Sequence, residues 1–209
     1  MRDIREEYQG KGLSEADLLA DPVEQVRLWV EEAVNAGLPV ANAMTLATVN
    51  AEGQPSARTV LLKGVEQGGF VFFSHYDSRK GDDIEASDKV AFVLYWSPMD
   101  RQITVQGRAR KVDAETSRAY FKTRPYGSQI SAVASPQSRP VDLETLEADV
   151  AQLRQEYPEG SDIPMPENWG GYLIVPEEIQ FWQGRPNRLH DRVRYFQDDG
   201  KWLRERLAP

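Results

Sequence analysis

The amino-acid sequence predicts a mainly β fold with flanking helices, in which antiparallel strands most simply form a barrel. Several short segments alternate apolar and polar residues, which is typical of strands with one buried face. Glycine-containing turns join many of these segments closely, as in an antiparallel meander. The 209 residues contain no repeat, linker or shift in composition, so a single domain spanning residues 1–209 is expected.

The first regular element predicted is a packing helix that follows a polar segment, residues 1–20, whose pattern alone indicates a loose tail. Asp21 can cap this helix, Pro22 suits its first turn, and Glu24 stands where a capping-box partner is found. An apolar stripe with helical spacing follows, formed by Val23, Val26, Trp29, Val30, Ala33 and Val34. Gly37 ends the pattern.

Beyond the first helix the period of the pattern changes to two. Strands are predicted over residues 43–49, 56–63, 70–74, 90–96, 102–112, 172–175 and 180–182. Helical patterns intervene at 79–86, 114–123 and 143–157, and a connection rich in proline and glycine spans 158–169. At least seven strands of this kind are typical of a barrel.

Composition argues against several classes of function. A net charge of −8 makes a nucleic-acid partner unexpected. With no cysteine and two histidines, neither disulfides, nor thiolate chemistry, nor a metal site is predicted. No apolar run approaches the ~20 residues that span a bilayer, and the N-terminus does not resemble a signal peptide. A cytoplasmic protein without a membrane partner is therefore expected.

The stretch EIQFWQGRPNRLHDR, residues 178–192, is the most unusual in the chain. Its first half alternates like a half-buried strand, and a glycine and a proline then interrupt it. If the chain stays extended beyond them, Arg188, His190 and Arg192 point to the same side. Two guanidiniums and an imidazole on one face are unsuited to a core, so they predict a site for an anionic or planar ligand.

Two further segments combine cations with a predicted element. RTVLLK puts Arg58 and Lys63 on opposite faces of one strand, and the alternative is a half-buried strand with charged ends. SRKGDD begins a helix with Arg79 and Lys80, where free N–H groups favour a phosphate. An exposed basic pair is the alternative there, and the glycine spacing of a P-loop is missing.

A third cationic segment is YFKTRPYGSQ. Tyr120 and Arg124 share one face of a helix that Pro125 stops, and Ser128 follows in the predicted loop. A phenol, a guanidinium and a hydroxyl can converge on one phosphate. The alternative is an arginine that caps its own helix.

Neutral amides at Gln102 and Gln137, the latter followed by Ser138, suit the donor and acceptor edge of a heterocycle. The separate anion-type clusters indicate two phosphorylated small molecules rather than one. The sequence contains neither the Gly-x-Ser-x-Gly elbow of a serine hydrolase nor the Gly-x-Gly-x-x-Gly of a Rossmann site. What remains is chemistry supplied by a bound cofactor, which composition alone does not name.

Taken together, RTVLLK, SRK, RP-x-x-SQ, QS, WGG, FWQG and the ending RLHDR–RLAP resemble the motifs of the pyridoxine/pyridoxamine 5′-phosphate oxidase family, from Arg5 and Tyr8 to Pro209. The resemblance implies an FMN-binding split β-barrel and a homodimer with its active sites at the subunit interface. It implies an enzyme that oxidises pyridoxamine 5′-phosphate and pyridoxine 5′-phosphate to pyridoxal 5′-phosphate by hydride transfer to FMN. Dioxygen would then reoxidise the flavin and give hydrogen peroxide.

The resemblance also implies which residues form the site. Those implied for FMN are Arg58, Thr59, Val60, Leu61, Leu62, Lys63, Phe73, Ser74, Arg79, Lys80, Gln102, Gln137, Ser138, Trp182 and Arg192. Those implied for the substrate are Lys63, Tyr120, Arg124, Ser128, Arg188 and His190, with Arg5 and Tyr8 on an N-terminal lid in place of a loose tail. Arg188 and His190 are the implied catalytic residues, the first stabilising charge and the second assisting proton removal.

Three places depart from the family pattern. Phe73 stands where a tyrosine is common, Ser131 replaces a glycine, and Arg139-Pro140 follow the QS pair. Two rival functions stay open: another flavin or deazaflavin oxidoreductase on the same barrel, and a carrier of pyridoxal phosphate without turnover. The substrate-side motifs RP-x-x-SQ and RLHDR argue against the first, and the intact flavin-side set argues against the second.

Overall fold

The computed structural model describes residues 7–10 and 12–209. The helices in this part are α1 (Pro22–Asn35), α2 (Arg79–Ala86), α3 (Ala114–Thr123), α4 (Tyr126–Ala134) and α5 (Leu143–Glu156). The strands are β1 (Ala43–Val49), β2 (Pro55–Leu61), β3 (Gly64–Glu66), β4 (Gly69–His75), β5 (Lys89–Trp96), β6 (Arg101–Lys111), β7 (Trp169–Gln183), β8 (Asp191–Asp198) and β9 (Lys201–Leu207). No helix in these ranges is long and apolar enough to cross a membrane.

All nine strands join in one antiparallel sheet. Seven of them follow the order β2-β1-β5-β6-β7-β4-β3, and β8 and β9 extend the sheet from β7. Strand β7 is its centre: β6 runs along one side, while β4 and then β8 share the other side, and β9 pairs with β8. Four strands separate β2 from β4 in this order, yet both line one cavity. The sheet therefore curls into a half-open barrel.

Alternating side chains from the strands fill the barrel. Leu46, Phe92, Ile103 and Phe181 have no exposed surface, and α1 packs Trp29 against Phe181 with their ring centroids 5.1 Å apart. A second, smaller cluster holds α3, α4 and α5 against the sheet and is built from Phe121, Ile130, Ala132, Ile163 and Trp169. This second cluster positions the helices that form one wall of the cavity.

Most of the predicted elements are confirmed. The strand over 43–49 and the helices over 79–86 and 114–123 have the predicted bounds. The Asp21 carboxylate caps α1 by accepting a hydrogen bond from the Val23 N–H at 2.8 Å. The strands predicted over 172–175 and 180–182 are one continuous strand, because a shift of register opposite Pro176 accommodates the missing N–H of this residue.

Other elements were not predicted. Helix α4 occupies the segment expected to be a loop after Pro125, because proline ends one helix but suits the start of the next. Strands β8 and β9 were missed, although the Asp199-Gly200 turn between alternating segments was a usable signal. The condition under which Arg188, His190 and Arg192 would point to the same side, an extended chain, is not met. Residues 184–190 form the loop of the β7–β8 hairpin, in which Arg188 has a left-handed backbone with φ of 60°.

Candidate cofactor and substrate site

A cavity of about 1030 Å³ lies between β2, β4, the first turn of α2, the α3–α4 wall and the loop after α4. Its lining includes many of the residues that the sequence singled out. These are Arg58, Thr59, Val60, Leu61, Lys63, Phe73, Ser74, Arg79, Lys80, Tyr120, Arg124, Ser128, Gln137 and Ser138. Leu62 is the exception on β2–β3, because its side chain is buried in the barrel core.

Lys80 forms one cationic corner of the cavity. Its ammonium donates to Ser74 Oγ at 2.9 Å, Ser78 Oγ at 3.0 Å and Gln137 Oε1 at 2.6 Å, so its three N–H bonds end on neutral acceptors. Burial, and secondly the charge of Arg58, lower the pKa of Lys80 to about 8. Because these three contacts are to neutral groups, the positive charge of Lys80 suits an anion in the cavity.

Arg58 stands beside this corner and is held by its neighbours. Its guanidinium donates to Thr48 Oγ1 at 2.7 Å and to Ser56 Oγ at 2.5 Å, and lies 3.6 Å from a carboxylate oxygen of Asp83. Burial lowers the pKa of Arg58, and the charge of Asp83 opposes this effect. Arg79 is exposed at the cavity and adds a further positive charge.

Another part of the cavity wall is aromatic and carries Arg124. The ring of Tyr120 stacks on Phe73 with centroids 3.8 Å apart, and the Arg124 guanidinium lies 4.8 Å from the centroid of Trp169. Burial lowers the pKa of Arg124. Its Nη1 atom is buried and has no hydrogen-bond partner within the described residues. A buried guanidinium nitrogen of this kind is suited to bind an anionic ligand.

The glycines of the WGG motif allow this wall to form. A Cβ atom at Gly171 would lie 2.9 Å from the Phe73 ring, and one at Gly170 would lie 2.0 Å from the Tyr76 hydroxyl. Ser128 reaches the cavity from the first turn of α4, not from a loop as predicted. Helix α4 thus gives the Ser128 hydroxyl a fixed place beside Arg124.

A second group of predicted residues lies at the other end of β7. The rings of Tyr8, Trp182 and His190 contact one another, with centroid distances of 5.4, 5.1 and 4.8 Å. A Cβ atom at Gly184 would lie 2.7 Å from the Tyr8 ring, so glycine is required for this contact. Burial, and then Tyr95, raise the pKa of Tyr8. The described part of the N-terminal segment is therefore packed against the β7–β8 loop, whereas Arg5 lies outside the described residues.

Gln102 and Arg192 belong to this second group. Gln102 and Arg192 pair with Trp182 from opposite sides of β7, and Arg192 donates to Gln180 Oε1 at 2.9 Å. Ser74, in the cavity, pairs with Gly170 on the same strand. Twelve positions separate Gly170 from Trp182, which corresponds to about 40 Å along a strand. The fold of one chain thus keeps the two groups apart.

Some residues at the cavity were missed by sequence reasoning. The sequence marked Trp169 at the cavity only within the WGG motif, and it marked Asp83, which lies 3.6 Å from the lining residue Arg58, only within SRKGDD. His75 is buried at the cavity and its Nε2 lies 2.8 Å from the Ala132 carbonyl, but no sequence pattern marked it. Other lining residues without a sequence signal are Ser56, Ala57 and Ser135. The unusual Arg139 donates to the Asp77 carbonyl at 3.1 Å and so ties the loop after α4 to the approach to α2.

Comparisons with known proteins agree on one family. The sequence profile described as pyridoxamine 5′-phosphate oxidase matches residues 30–157, and that of the pyridoxine 5′-phosphate oxidase C-terminal dimerisation region matches residues 169–209. The chain is 61% identical over 210 residues to a pyridoxine/pyridoxamine 5′-phosphate oxidase from Alcanivorax borkumensis, with both chains fully covered. A relative of the same name from Salinibacter ruber is 48% identical over 212 residues, which cover 100% of this chain and 99% of the relative.

Solved structures show the same fold. PhzG from Burkholderia lata 383, in complex with tetrahydrophenazine-1-carboxylic acid, matches with a TM-score of 0.90 and 28% identity over 96% of this chain and 100% of that chain. A pyridoxamine 5′-phosphate oxidase-related, FMN-binding protein from Nostoc punctiforme matches with a TM-score of 0.71 and 20% identity, over 88% of this chain and 96% of that one. The predicted split β-barrel is confirmed.

Proposed function

The chain belongs to the pyridoxamine 5′-phosphate oxidase family, and we propose that it oxidises pyridoxamine 5′-phosphate and pyridoxine 5′-phosphate to pyridoxal 5′-phosphate with FMN as its cofactor. The observation that carries the proposal is that one cavity has two cationic corners, one at Lys80 and one at Arg124. Two anion sites side by side suit a phosphorylated cofactor next to a phosphorylated substrate.

The Lys80 corner fits the phosphate of FMN. Arg79 and Lys80 supply charge at the start of α2, and Ser74 and Gln137 supply neutral polar groups. FMN held there by Lys80 and Arg79 would supply a hydride acceptor for the substrate carbon, with dioxygen as the final electron acceptor and hydrogen peroxide as its product. The protein's own part in this corner is to bind the phosphate and to fix the position of the flavin.

The Arg124 corner fits the phosphate of the substrate. Arg124, with its buried Nη1, lines the same cavity as Tyr120, Ser128 and Lys63, whose phenol, hydroxyl and ammonium can also bind a phosphate. Binding the phosphate at a fixed point holds the reacting carbon in one position, which is the orientation component of catalysis.

The second group of residues completes the site only if another copy of the chain supplies it. The separation along β7, at most about 40 Å, favours the use of the two groups by different chains. The profile of the family's C-terminal dimerisation region covers residues 169–209, which include Trp182, His190 and Arg192 of this group. We therefore propose a homodimer in which Gln102, Trp182 and Arg192 of one chain face the cofactor in the other.

In the same dimer Arg188 and His190 would face the ring of the substrate. The Arg185 N–H donates to His190 Nδ1 at 3.1 Å, so the neutral imidazole carries its proton on Nε2. We infer that His190 contacts the substrate as a hydrogen-bond donor, in place of the expected part in proton removal, and that Arg188 stabilises negative charge there. Tyr8, which packs on His190, would cover this part of the site as a lid.

The experiment that tests the proposal is a visible absorption spectrum of the purified protein before and after anaerobic addition of pyridoxamine 5′-phosphate. We expect a flavin band that bleaches and then returns on admission of air, while pyridoxal 5′-phosphate accumulates. A flavin band that persists would assign the site to a different flavin-dependent oxidoreductase. Absence of a flavin band even after addition of FMN would favour a carrier of pyridoxal phosphate.

A further inference from the structure

Asp83 is a buried carboxylate that the proposed chemistry does not use. It lies on α2 with 4% of its surface exposed. Its Oδ2 atom accepts hydrogen bonds from Thr48 Oγ1 at 2.5 Å and from Ser56 Oγ at 2.8 Å. These two hydroxyls come from β1 and β2, so the carboxylate joins three elements at one point.

The carboxylate determines how the two hydroxyls are oriented. An ionised carboxylate only accepts hydrogen bonds, so both hydroxyl protons must point towards Asp83. The oxygen lone pairs of Thr48 and Ser56 are then left to accept from Arg58, whose Nη1 and Nη2 donate to them at 2.7 and 2.5 Å. Nη1 also donates to the Leu46 carbonyl at 3.2 Å.

These contacts fix the orientation of the guanidinium at the cavity wall. An arginine has five N–H donors in a rigid planar fork. Three of them end on Leu46, Thr48 and Ser56, and Nη2 also lies 3.6 Å from Asp83. Arg58 lines the cavity, whereas Thr48 is fully buried and lies behind it.

We propose that Asp83 is a positioning residue for the cofactor. It acts through the Thr48 and Ser56 hydroxyls to hold the Arg58 guanidinium in the orientation in which it binds FMN. The inference rests on the proposed function, since it names FMN as the ligand of the cavity. It assigns a role to Asp83 without any contact between Asp83 and the cofactor.

The direction in which FMN affinity changes when Asp83 is removed distinguishes a positioning role from a purely electrostatic one. A carboxylate near an anion site repels an anion, so if charge were its only influence, removal of Asp83 would tighten FMN binding. If Asp83 positions Arg58, its removal frees the guanidinium and weakens binding in spite of the gain in positive charge. The two accounts therefore predict opposite changes in the dissociation constant.

The test titrates FMN into cofactor-free wild type, Asp83→Ala and Glu85→Ala and follows the quenching of flavin fluorescence. Loss of an oriented charged hydrogen-bond donor predicts about tenfold weaker binding for Asp83→Ala. Glu85→Ala removes the same charge from the same helix at an exposed position that pairs with Lys111, and should bind like wild type. Thr48→Val changes a buried residue behind the cavity wall and should weaken binding about threefold. Thermal unfolding of the cofactor-free variants checks that each is folded, and Thr48→Val carries the test if Asp83→Ala is not.

A double-mutant cycle with Arg58→Gln gives the readout that a merely structural role would not change. If Asp83 acts through Arg58, Asp83→Ala has no further effect on FMN affinity in the Arg58→Gln background. An equal effect in both backgrounds, or unchanged or tighter binding by the single Asp83 and Thr48 variants, overturns the inference alone. Failure of wild type to bind FMN overturns the proposed function, and the inference with it.

Discussion

At the scale of single residues, the cavity is lined by cations whose N–H groups donate hydrogen bonds to neutral acceptors. Lys80 donates to two hydroxyls and one amide, and Arg58 donates to two hydroxyls and one carbonyl. Buried charges without a full countercharge are costly in the empty protein. The cost is lowered when an anionic ligand enters, which is why such a cluster favours phosphate.

The low pKa of Lys80 should make the affinity for FMN depend on pH. Burial places this pKa at about 8 in the empty protein. Above that pH the ammonium loses its proton, so the dissociation constant of FMN should rise between about pH 7 and pH 9.5. Lys80→Met should bind more weakly and lose most of this pH dependence, while the exposed Lys89→Met should behave like wild type. If the dissociation constant rises with pH as steeply in Lys80→Met as in Lys89→Met, the assignment to Lys80 is wrong.

The stability of the cofactor-free protein should rise with pH over the range in which the affinity for FMN falls. An unfolded lysine keeps its proton to about pH 10.4, so between the folded pKa and that value the unfolded state binds more protons. The contribution of Lys80 to the free energy of unfolding should therefore rise over this window and be smallest below pH 8. Comparison of urea unfolding of wild type and Lys80→Met across the window measures it; identical profiles for the two proteins would be inconsistent with the burial of this charge.

Arg79 and Arg188 should separate cofactor binding from turnover. Arg79 lines the cavity beside Lys80, whereas Arg188 lies on the β7–β8 loop at the other end of β7. Arg79→Ala should mainly weaken retention of FMN, and Arg188→Ala should mainly reduce kcat in enzyme saturated with FMN. FMN titration and steady-state kinetics give both quantities. Equal loss of FMN affinity in the two variants would show that this division of roles is wrong.

At the scale of elements, the described N-terminal segment is attached to the β7–β8 hairpin by specific contacts. The Leu13 N–H donates to buried Asp191 at 2.8 Å, and Arg206 donates to the same carboxylate at 2.6 Å and to the Leu13 carbonyl at 2.9 Å. Tyr8 extends from this anchored segment to the ring of His190. The attachment gives the proposed lid a defined position over the loop that carries Arg188.

Removal of the Tyr8 ring tests the lid. Tyr8→Ala should raise KM for pyridoxamine 5′-phosphate and lower kcat by several-fold, because water then reaches the substrate ring more easily. FMN affinity should change little, since the ring contacts Trp182 and His190 at the rim of the proposed site. Tyr8→Phe keeps the ring contacts and serves as the matched control. Unaltered kinetics in Tyr8→Ala would remove the lid from the proposal.

At the scale of the whole molecule, β7 determines where the two groups of predicted site residues lie in one chain. We infer a single domain, because all nine strands of the described chain share one sheet centred on this strand. The same strand places the cavity at one end and the Trp182 cluster at the other. In the proposed arrangement a complete site needs two chains, so we expect the function to depend on dimerisation.

Mixed dimers test this arrangement. Lys80→Gln damages the cavity, and Arg188→Ala damages the loop that the second copy is proposed to supply. Each variant alone should have little activity, but random pairing of the two after co-expression should restore about a quarter of the wild-type sites. Activity of the separately purified variants, mixed without subunit exchange, is the control. No recovery in co-expressed dimers would place both groups of residues in the same chain's site.

The sequence by itself determined the local features of this protein. The alternation of strands, the cap at Asp21 and the helix at SRKGDD depend on neighbours within a few residues, and the structure has them where they were predicted. The motifs also included many of the residues that line the cavity, because RTVLLK, SRK and RP-x-x-SQ are each short and contiguous. Short-range geometry suffices for such features.

Only the tertiary structure decided how the segments meet. The left-handed turn at Asn187 and Arg188 reverses the chain, so Arg192 faces Gln180 on β7 instead of sharing a face with Arg188. Asp83 contacts Thr48, Ser56 and Arg58, which lie up to 35 positions away in the sequence. No local sequence pattern indicates these contacts. Contacts of this kind arise from sheet register and packing between distant segments, and periodicity within one segment contains no information about them.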